Sequence, residues 1–445
     1  MRNNLKFSLD NVSLLKQNIL RWASNFKCCC YFDSCNANSD ELNPNFSNYD
    51  CIVAVDKLDE LQIINENEKS LQQLKEFHLK HQDWLFGFLS YDIKNEIEDL
   101  HSNNSDHLNF PILCFFQAKL IFLVKENVLT IEFFQENYSA EQIKNLYEEI
   151  NNYQLSIINY QSSIVNFTPK ISREVYLEKI QLLKQHIQSG DIYEINFCQE
   201  FYTKTEGLDP VEIYTCLKKK SPTPFSVYYR WNDQYLMCAS PERFLMKKGN
   251  KVISQPIKGT SKRGNNLYED ESLKTQLFTD QKERSENIMI VDLVRNDLSK
   301  IAKKGSVKVE ELCKIYSYQQ VHQMVSTISA QIEDSFHFTD VIHSCFPMGS
   351  MTGAPKIKAM ELIEKFESTK RGLFSGSVGY ISPQGDFDFN VVIRSLFYNA
   401  SNQYLSYMVG SAITAKSIPE NEYKECLLKG KAIIDVLSKK HVESE

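Results

Sequence analysis

Short apolar runs of strand length, separated by polar turns, are the feature that most limits what this chain can fold into. Such runs occupy residues 51–55, 85–91, 113–124 and 128–134. Runs of this length bounded by turn residues are typical of buried strands. Gly87 stands at the centre of the second run, which predicts a close approach of a neighbouring backbone at that point.

The character of the sequence changes near Ser172. This serine is a suitable N-cap for a helix with apolar residues at the 3.6-residue period, and Gly190 would end that helix. Strand-like and helix-like segments then alternate irregularly, which predicts the α+β class rather than regular βαβ units. The polar stretch 154–170 predicts a boundary between a β-rich N-terminal region, residues 1–153, and a second region, residues 172–440. The Asn- and Ser-rich stretch 36–48 predicts a surface loop.

Composition excludes several classes of protein. The 445 residues include 50 Lys and Arg against 57 Asp and Glu, a net charge of −7, so a basic nucleic-acid-binding surface is not expected. With 42% hydrophobic and 24% charged residues the chain is not a disordered one. It has neither an 18-residue apolar run nor an apolar N-terminal segment, so we expect no membrane span, no secretory signal and a cytoplasmic location. The twelve cysteines form no CxxC pair, which favours reduced thiols over a zinc site.

A lysine between a strand-like run and a glycine is the first candidate for chemistry. Lys258 lies in the segment 255–264 and directly precedes Gly259. A lysine ammonium that is desolvated, or placed near another cation, has a lowered pKa and becomes a nucleophile. On the local sequence alone, a solvated loop lysine is the more ordinary interpretation.

Acidic side chains on two predicted helices are the second candidate. Glu283 and Glu286 are three residues apart and so share a helix face, and the apolar stretch that follows predicts a buried helix. Buried carboxylates need partners or a metal. Glu425 and Lys429 form an ordinary surface pair by their spacing, but Glu425 together with Glu286 would make the sparse carboxylate set that holds Mg²⁺ beside an anion.

A loop rich in glycine, serine and threonine precedes another predicted helix. Residues 346–356 run into this helix and would offer free N–H groups to an anion. The loop lacks the Gly-Lys-Ser/Thr ending of a Walker A sequence, so a nucleotide site of that kind is not expected.

Five segments, taken in order, resemble the chorismate-utilising enzymes. They begin at Ser240 (Ser-Pro-Glu-Arg), Pro256 (Pro-Ile-Lys-Gly-Thr), Glu286 (Glu-Asn-Ile-Met-Ile-Val-Asp-Leu-Val-Arg-Asn-Asp), Gly349 (Gly-Ser-Met-Thr-Gly-Ala-Pro-Lys) and Gly376 (Gly-Ser-Val-Gly-Tyr). The resemblance extends over residues 172–437. It implies an α+β fold built on a large two-sheet antiparallel β sandwich with flanking helices, like that of anthranilate synthase component I.

The resemblance also implies an activity. Pro-Ile-Lys-Gly-Thr is similar to the aminodeoxychorismate synthases of the family, whereas anthranilate synthases generally carry alanine at the position of Lys258. Lys258 would attack C2 of chorismate while the C4 hydroxyl leaves, with Glu242 as general acid. Ammonia would then add at C4, an amino-group transfer of the transaminase class that leads to p-aminobenzoate and folate. By the same resemblance Mg²⁺ would be held by Glu286 and Glu425, with Glu283 in support.

The remaining site residues and the partners follow from the same resemblance. The substrate-binding positions would be Glu194, Ser350, Thr352, Arg394, Gly410 and Lys429. A glutamine amidotransferase subunit would supply the ammonia, and no nucleic acid or membrane partner is expected. Glu194 stands where family members that add water have lysine and where other amino-transferring members often have glutamine, which counts against water addition.

Two other functions stay open on the sequence. Anthranilate synthase component I is the first, and a non-catalytic subunit that binds chorismate is the second. Gln323 stands where the family often has histidine, with His322 one position earlier, and Ala412 stands where a glycine is usual. The loss of that histidine leans away from the pyruvate-releasing chemistry of anthranilate synthases, whereas both departures together motivate the non-catalytic alternative.

Overall fold

The computed structural model describes residues 2–35, 49–66, 68–153 and 165–438. The predicted surface loop at 36–48 and most of the predicted boundary stretch, residues 154–164, lie outside the described residues.

Strands and helices alternate along the described residues without a fixed period. The strands are β1 Asn3–Ser8, β2 Cys28–Asp33, β3 Cys51–Ile63, β4 Leu85–Leu89, β5 Leu113–Lys125, β6 Val128–Phe133, β7 Thr168–Pro169, β8 Glu194–Lys204, β9 Phe225–Trp231, β10 Gln234–Ser240, β11 Arg243–Lys248, β12 Lys251–Gln255, β13 Ile257–Lys262, β14 Lys308–Ser317, β15 Val321–Gln331, β16 Gly353–Ala354, β17 Ser377–Ile381, β18 Phe387–Asn390, β19 Ser395–Asn399 and β20 Tyr404–Thr414. The helices are α1 Val12–Ala23, α2 Ser70–His81, α3 Lys94–Ile97, α4 Ala140–Asn151, α5 Arg173–Gln188, α6 Pro210–Lys220, α7 Leu267–Thr279, α8 Gln281–Ser299, α9 Phe338–Cys345, α10 Lys356–Phe366 and α11 Pro419–Ser438.

The strands pair antiparallel in two series that meet at β5. One series runs β1, β6, β5, β3, β2, β9, β10, β19, β20, β8. The other leaves β5 through β4 and continues β17, β18, β11, β12, β15, β14, with β13 also on β15. The predicted α+β class is confirmed by these antiparallel strands and flanking helices.

Both regions of the predicted division contribute to the same sheets. Strand β2 pairs with β9, and β4 pairs with β17, so strands on either side of the proposed boundary are direct neighbours. The boundary itself stays a prediction. Without these hydrogen bonds between the regions, each region would leave strand edges unpaired.

Two local predictions are confirmed in detail. Gly87 lies so close to β5 that a Cβ atom there would be 2.0 Å from the Cys114 carbonyl oxygen. The side chain of Ser172 accepts a hydrogen bond from the Val175 N–H at the start of α5. None of the helices in the described part of the chain is long and apolar enough to cross a membrane.

Candidate functional site

An irregularity in β13 positions Lys258. The pairing of β13 with β15 shifts register between Ile257 and Thr260, which places Lys258 in a bulge. Bulges redirect the side chain of the extra residue. Gly259 follows with φ +93°, and a Cβ atom there would be 3.2 Å from Glu283 Oε2, so a residue with a side chain would be strained at this position. The backbone conformation of this turn therefore depends on the glycine after the lysine.

Lys258 forms an ion pair with Glu194. The distance from Lys258 Nζ to Glu194 Oε1 is 2.7 Å, and Glu194, at the start of β8, is 1% exposed. Burial alone would lower the pKa of Lys258, but the carboxylates of Glu194, Glu286 and Glu242 raise it above the ordinary value. Neither interpretation of the sequence predicted the ion pair with Glu194 or the raised pKa of Lys258. The lysine is not a solvated loop residue, and the expectation of a lowered pKa is wrong for this arrangement because several carboxylates face the ammonium group.

Glu242 is a buried acid in the turn between β10 and β11. Ser350 donates a hydrogen bond of 2.6 Å to Glu242 Oε1, and both residues are buried. Burial raises the pKa of Glu242 to about 7, although the Ser350 hydrogen bond and the charge of Lys258 act in the opposite direction. A carboxyl group with a pKa near neutrality is suited to general acid catalysis.

A buried ion pair between Arg371 and Glu367 stabilises the loop that carries Ser350. Arg371 donates to the carbonyl oxygens of Met351, at 2.6 Å, and Asn196, at 2.8 Å. Glu367 pairs with Arg371 and also accepts from the Cys198 N–H, so the loop and β8 are fixed to one another. Sequence reasoning missed this pair, and helical spacing could not have suggested it, because residues 367–371 follow the end of α10.

Thr352 stabilises this loop through hydrogen bonds of both its backbone and its side chain. Its hydroxyl donates to the Met348 carbonyl oxygen, and its own carbonyl oxygen accepts from the Asn196 N–H. Thr352 is fully buried. Its hydroxyl therefore shapes the loop, while the predicted contact with substrate stays a prediction.

Helices α8 and α11 bring acidic side chains to one side of the site. Glu286 is buried on α8, its Oε1 has no hydrogen-bond partner among the described residues, and burial raises its pKa to about 7. Burial likewise raises the pKa of Glu283. Lys282 Nζ lies 3.8 Å from Glu286 Oε1 and 3.7 Å from Glu422 Oε1, so an ammonium group bridges the two helices.

This acidic set fits a hard divalent cation. Carboxylate oxygens are the ligands that Mg²⁺ prefers, and Glu286 offers a buried oxygen that accepts no hydrogen bond from the described residues. Within the described residues no three His, Cys, Asp or Glu side chains are already gathered as a metal cluster. Sequence reasoning missed Lys282 and Glu422, although Glu422 stands three residues before Glu425 in the same spacing as Glu283 and Glu286.

Cationic groups lie near the same end of the site. Lys429 Nζ is 2.8 Å from Glu425 Oε1 and 2.9 Å from the Gly410 carbonyl oxygen. Burial raises the pKa of Glu425, but the charge and hydrogen bond of Lys429 outweigh it and the net shift is downward. Gly410 packs so closely on β8 that a Cβ atom would be 2.2 Å from the Phe197 carbonyl oxygen.

Arg394 lies between β18 and β19 with φ +53°, an unusual conformation for a residue with a side chain. Burial lowers its pKa, and the Glu425 carboxylate opposes that effect. A guanidinium group in such a position is suited to binding a carboxylate through two hydrogen bonds.

His322 and Gln323, which lie where the related enzymes often have a histidine, are on opposite faces of β15. His322 is fully buried and contacts Asp270 at 3.0 Å and Ser317 at 2.8 Å. Gln323, on the other face of β15, has a buried Oε1 with no partner in the described part of the chain. Successive strand residues alternate between faces, so His322 does not replace the missing histidine.

The family model for chorismate binding enzymes matches residues 27–435. The chain belongs to the chorismate binding enzyme family. The resemblance in the five sequence segments is thereby confirmed.

Curated relatives are named after two kinds of synthase. Aminodeoxychorismate synthase component 1 of Bacillus subtilis (strain 168) is 30% identical over 363 residues, which cover 78% of this chain and 75% of the relative. The protein of the same name from Escherichia coli (strain K12) is 38% identical over 269 residues, covering 60% and 59%. Anthranilate synthase component 1 of Aquifex aeolicus (strain VF5) is 30% identical over 368 residues, covering 79% and 74%.

A solved structure from the family has the same fold. Anthranilate synthase component I from Streptococcus pneumoniae TIGR4 superimposes with a TM-score of 0.76 at 25% sequence identity, covering 86% of this chain and 91% of that one. The predicted fold, like that of anthranilate synthase component I, is confirmed by this match.

Proposed function

We propose that this member of the chorismate binding enzyme family is aminodeoxychorismate synthase component I. It would convert chorismate and ammonia to 4-amino-4-deoxychorismate, an amino-group transfer classed with the transaminases, for p-aminobenzoate and folate synthesis. The observation that carries the proposal is the placement of Lys258 in a site that also holds the buried, near-neutral acid Glu242. Relatives of that name in two bacteria support it.

The reaction consists of two displacements, first of the C4 hydroxyl group by Lys258 and then of Lys258 by ammonia. Lys258 Nζ forms a bond to C2 of chorismate, the double bond shifts, and the C4–O bond breaks as Glu242 gives its proton to the departing hydroxyl group. Ammonia then bonds to C4 and Lys258 is expelled from C2. The arrangement suits this order because the acid is kept protonated near neutrality by burial.

Binding of the two substrate carboxylates would fall to cationic and backbone groups. Arg394 and Lys429 supply positive charge, and the loop around Ser350 supplies N–H groups near the ring. Mg²⁺, held by Glu286 and Glu425 with Glu283 and Glu422 nearby, would neutralise negative charge where the substrate carboxylate meets these acids.

The proposal includes a partner and a location. The relatives' designation as component 1 supports a second subunit, and we assign to it a glutamine amidotransferase that delivers ammonia. All twelve cysteines are free thiols and most are buried, which supports a reducing compartment such as the cytoplasm.

Product identification by mass spectrometry tests the function. The purified protein would receive chorismate, Mg²⁺ and an ammonium salt at mildly alkaline pH, without a partner subunit. Aminodeoxychorismate without pyruvate is expected. Anthranilate with pyruvate would assign the chain to the other named branch of its relatives instead, and chorismate binding without any product would indicate a non-catalytic subunit.

A further inference from the structure

We propose that Glu194 is the proton acceptor that converts Lys258 from an ammonium ion to an amine nucleophile, and that Glu194 returns this proton when Lys258 is released. The inference rests on the proposed function, in which Lys258 attacks the ring. It gives Glu194 a role in the chemistry itself, whereas the sequence placed this residue only among substrate-binding positions.

The protonation state of Lys258 is the problem that such an acceptor solves. Acidic groups on several segments act on the charge of the lysine, namely Glu194 on β8, Glu242 after β10, Glu283 and Glu286 on α8, and Glu425 on α11. These charges hold the lysine as an ammonium ion, which has no lone pair for attack. The proton must leave before the bond to C2 forms.

Geometry selects Glu194 from this group. Among the described residues, Glu194 is the carboxylate within ion-pair distance of Lys258, and 2.7 Å is a suitable distance for direct proton transfer. Glu242 is excluded as acceptor because the proposed reaction needs it to be protonated. Glu283, Glu286 and Glu425 belong to the acidic set that fits a divalent cation.

The backbone around Glu194 fixes this contact. Glu194 pairs with Ala354 on one side and with Thr414 on the other, and the Tyr193 N–H donates to the Ala354 carbonyl oxygen at 2.7 Å. A carboxylate held between two strands keeps its distance to Lys258 with little loss of entropy during the reaction.

Burial makes the transfer feasible. Glu194 is 1% exposed, and its second oxygen, Oε2, is buried without a hydrogen-bond partner in the described part of the chain. The unpartnered Oε2 leaves the carboxylate with an acceptor atom that no hydrogen bond satisfies. After the transfer the site holds a neutral acid and a neutral amine, which need less solvation than two buried charges do.

Each proton transfer and each bond formed or broken is accounted for over one turnover. The proton moves from Lys258 Nζ to Glu194, the amine bonds to C2, and Glu242 protonates the hydroxyl group that leaves C4 as water. Ammonia then bonds to C4, and the C2–N electron pair returns to Lys258, which leaves as a neutral amine. The new ammonium group at C4 gives one proton to Glu242, and Glu194 returns its proton to Lys258.

Adduct formation measured against pH tests this assignment. Wild-type protein, Glu194→Gln and Glu194→Asp would be mixed with chorismate, without ammonia, between about pH 5 and pH 6.5, where Glu242 is largely protonated. Mg²⁺ would be kept saturating at each pH, because burial also raises the pKa of Glu286 to about 7. Intact-mass spectrometry of quenched samples gives the rate of adduct formation on Lys258. We expect a nearly flat profile for wild type, because the proton stays within the pair. For Glu194→Gln we expect a rise of about tenfold per pH unit, because the proton must leave to solvent, and Glu194→Asp should restore part of the flat profile.

A second measurement needs neither substrate nor metal. Acetic anhydride would label the free protein across a pH series, with Lys262, an exposed lysine of the same strand, as internal reference. Lys258 should be acetylated at lower pH in Glu194→Gln than in wild type. Glu200→Gln, a second buried carboxylate of β8 that accepts a hydrogen bond from Tyr404, is the matched control and should leave Lys258 unchanged.

The outcomes separate this inference from the proposed function. A steep profile in wild type, a flat profile in Glu194→Gln, or identical acetylation of Lys258 in the two proteins would each overturn the role of Glu194 while the covalent route stands. If wild-type protein forms no adduct at any pH, the covalent route of the proposed function is wrong and the inference falls with it.

Discussion

Ser350 Oγ donates a 2.6 Å hydrogen bond to Glu242 Oε1 inside the protein, so a hydroxyl group on one loop tunes an acid on another. This bond lowers the pKa of Glu242 against the upward effect of burial. Ser350→Ala should therefore raise the pKa of Glu242 above about 7 and move the alkaline limb of the kcat/KM profile to higher pH. Ser344→Ala, whose hydroxyl bonds only within α9, is the control. An unmoved limb would mean that another group controls it.

Stability should fall as pH rises through the range in which Glu242 titrates. Its pKa is raised from 4.5 to about 7, so the native state binds more protons than the unfolded chain between these values. The free energy of unfolding then decreases with rising pH in this window and levels off above it. Glu242→Gln removes the ionisation and should gain up to roughly 3 kcal/mol relative to wild type at pH 8. Urea unfolding without Mg²⁺ at pH 5 and pH 8 measures this, and parallel pH dependence in the two proteins would contradict it.

Lys258→Ala should abolish the covalent adduct and leave the fold intact. The side chain lies in a bulge at the site, and its removal leaves the buried Glu194 without its ion-pair partner, so a loss of stability of up to about 3–5 kcal/mol is expected as well. Intact-mass spectrometry detects the adduct, and circular dichroism checks the fold. Lys262→Ala on the same strand is the control. Unchanged rates of product formation in Lys258→Ala would exclude the nucleophilic role.

Glu286→Gln should raise the Mg²⁺ concentration needed for half-maximal activity. The variant keeps the shape of the side chain and removes a buried negative charge. Loss of a ligand should cost at least as much affinity as loss of an outer partner, roughly 10–100-fold. A Mg²⁺ titration of activity measures the effect. Asp292→Asn, an exposed carboxylate of the same helix paired with Arg295, should leave the titration unchanged, and equal requirements in all three proteins would exclude Glu286 as a ligand.

Arg371→Met should be among the most destabilising single substitutions outside the site. The guanidinium group is 3% exposed, and its loss would leave the buried Glu367 uncompensated. Breaking one side of a buried pair costs about 3–5 kcal/mol. Denaturant unfolding of Arg371→Met, Glu367→Gln and the double variant measures this. The double variant should recover part of the loss, and simple additivity of the two single changes would argue against a coupled pair.

The sequence was informative wherever function follows from residue type within one segment. The carboxylates of α8, the lysine of β13 and the loop around Ser350 stand in short, ordered patterns, and the structure brings Lys258, Glu242, Glu286 and Ser350 to one region. The class of fold follows from alternating apolar runs, because their length and spacing reflect the backbone geometry of buried strands.

Contacts between distant segments could not be predicted from the sequence. The pairing of Glu194 with Lys258 joins β8 to β13 and depends on a bulge that turns the lysine inward. The raised pKa of the lysine follows from the carboxylates of Glu194, Glu242 and Glu286, which lie in three other segments. Lys282 bridges two helices far apart in sequence, and its spacing alone does not distinguish it from a surface residue. Such effects depend on tertiary packing, which local patterns do not encode.

The pairings of β2 with β9 and of β4 with β17 have a consequence for how the chain is made. During synthesis from the N-terminus, these early strands leave the ribosome long before their partners exist. Until the later strands have been synthesised, the apolar faces of these early strands stay exposed or only loosely collapsed. Folds dominated by such long-range pairs form slowly and are prone to aggregation meanwhile. A newly made chain of this kind should therefore depend strongly on chaperones. Shortening it from the C-terminal end should reduce its solubility as well as remove the site contacts made by α11.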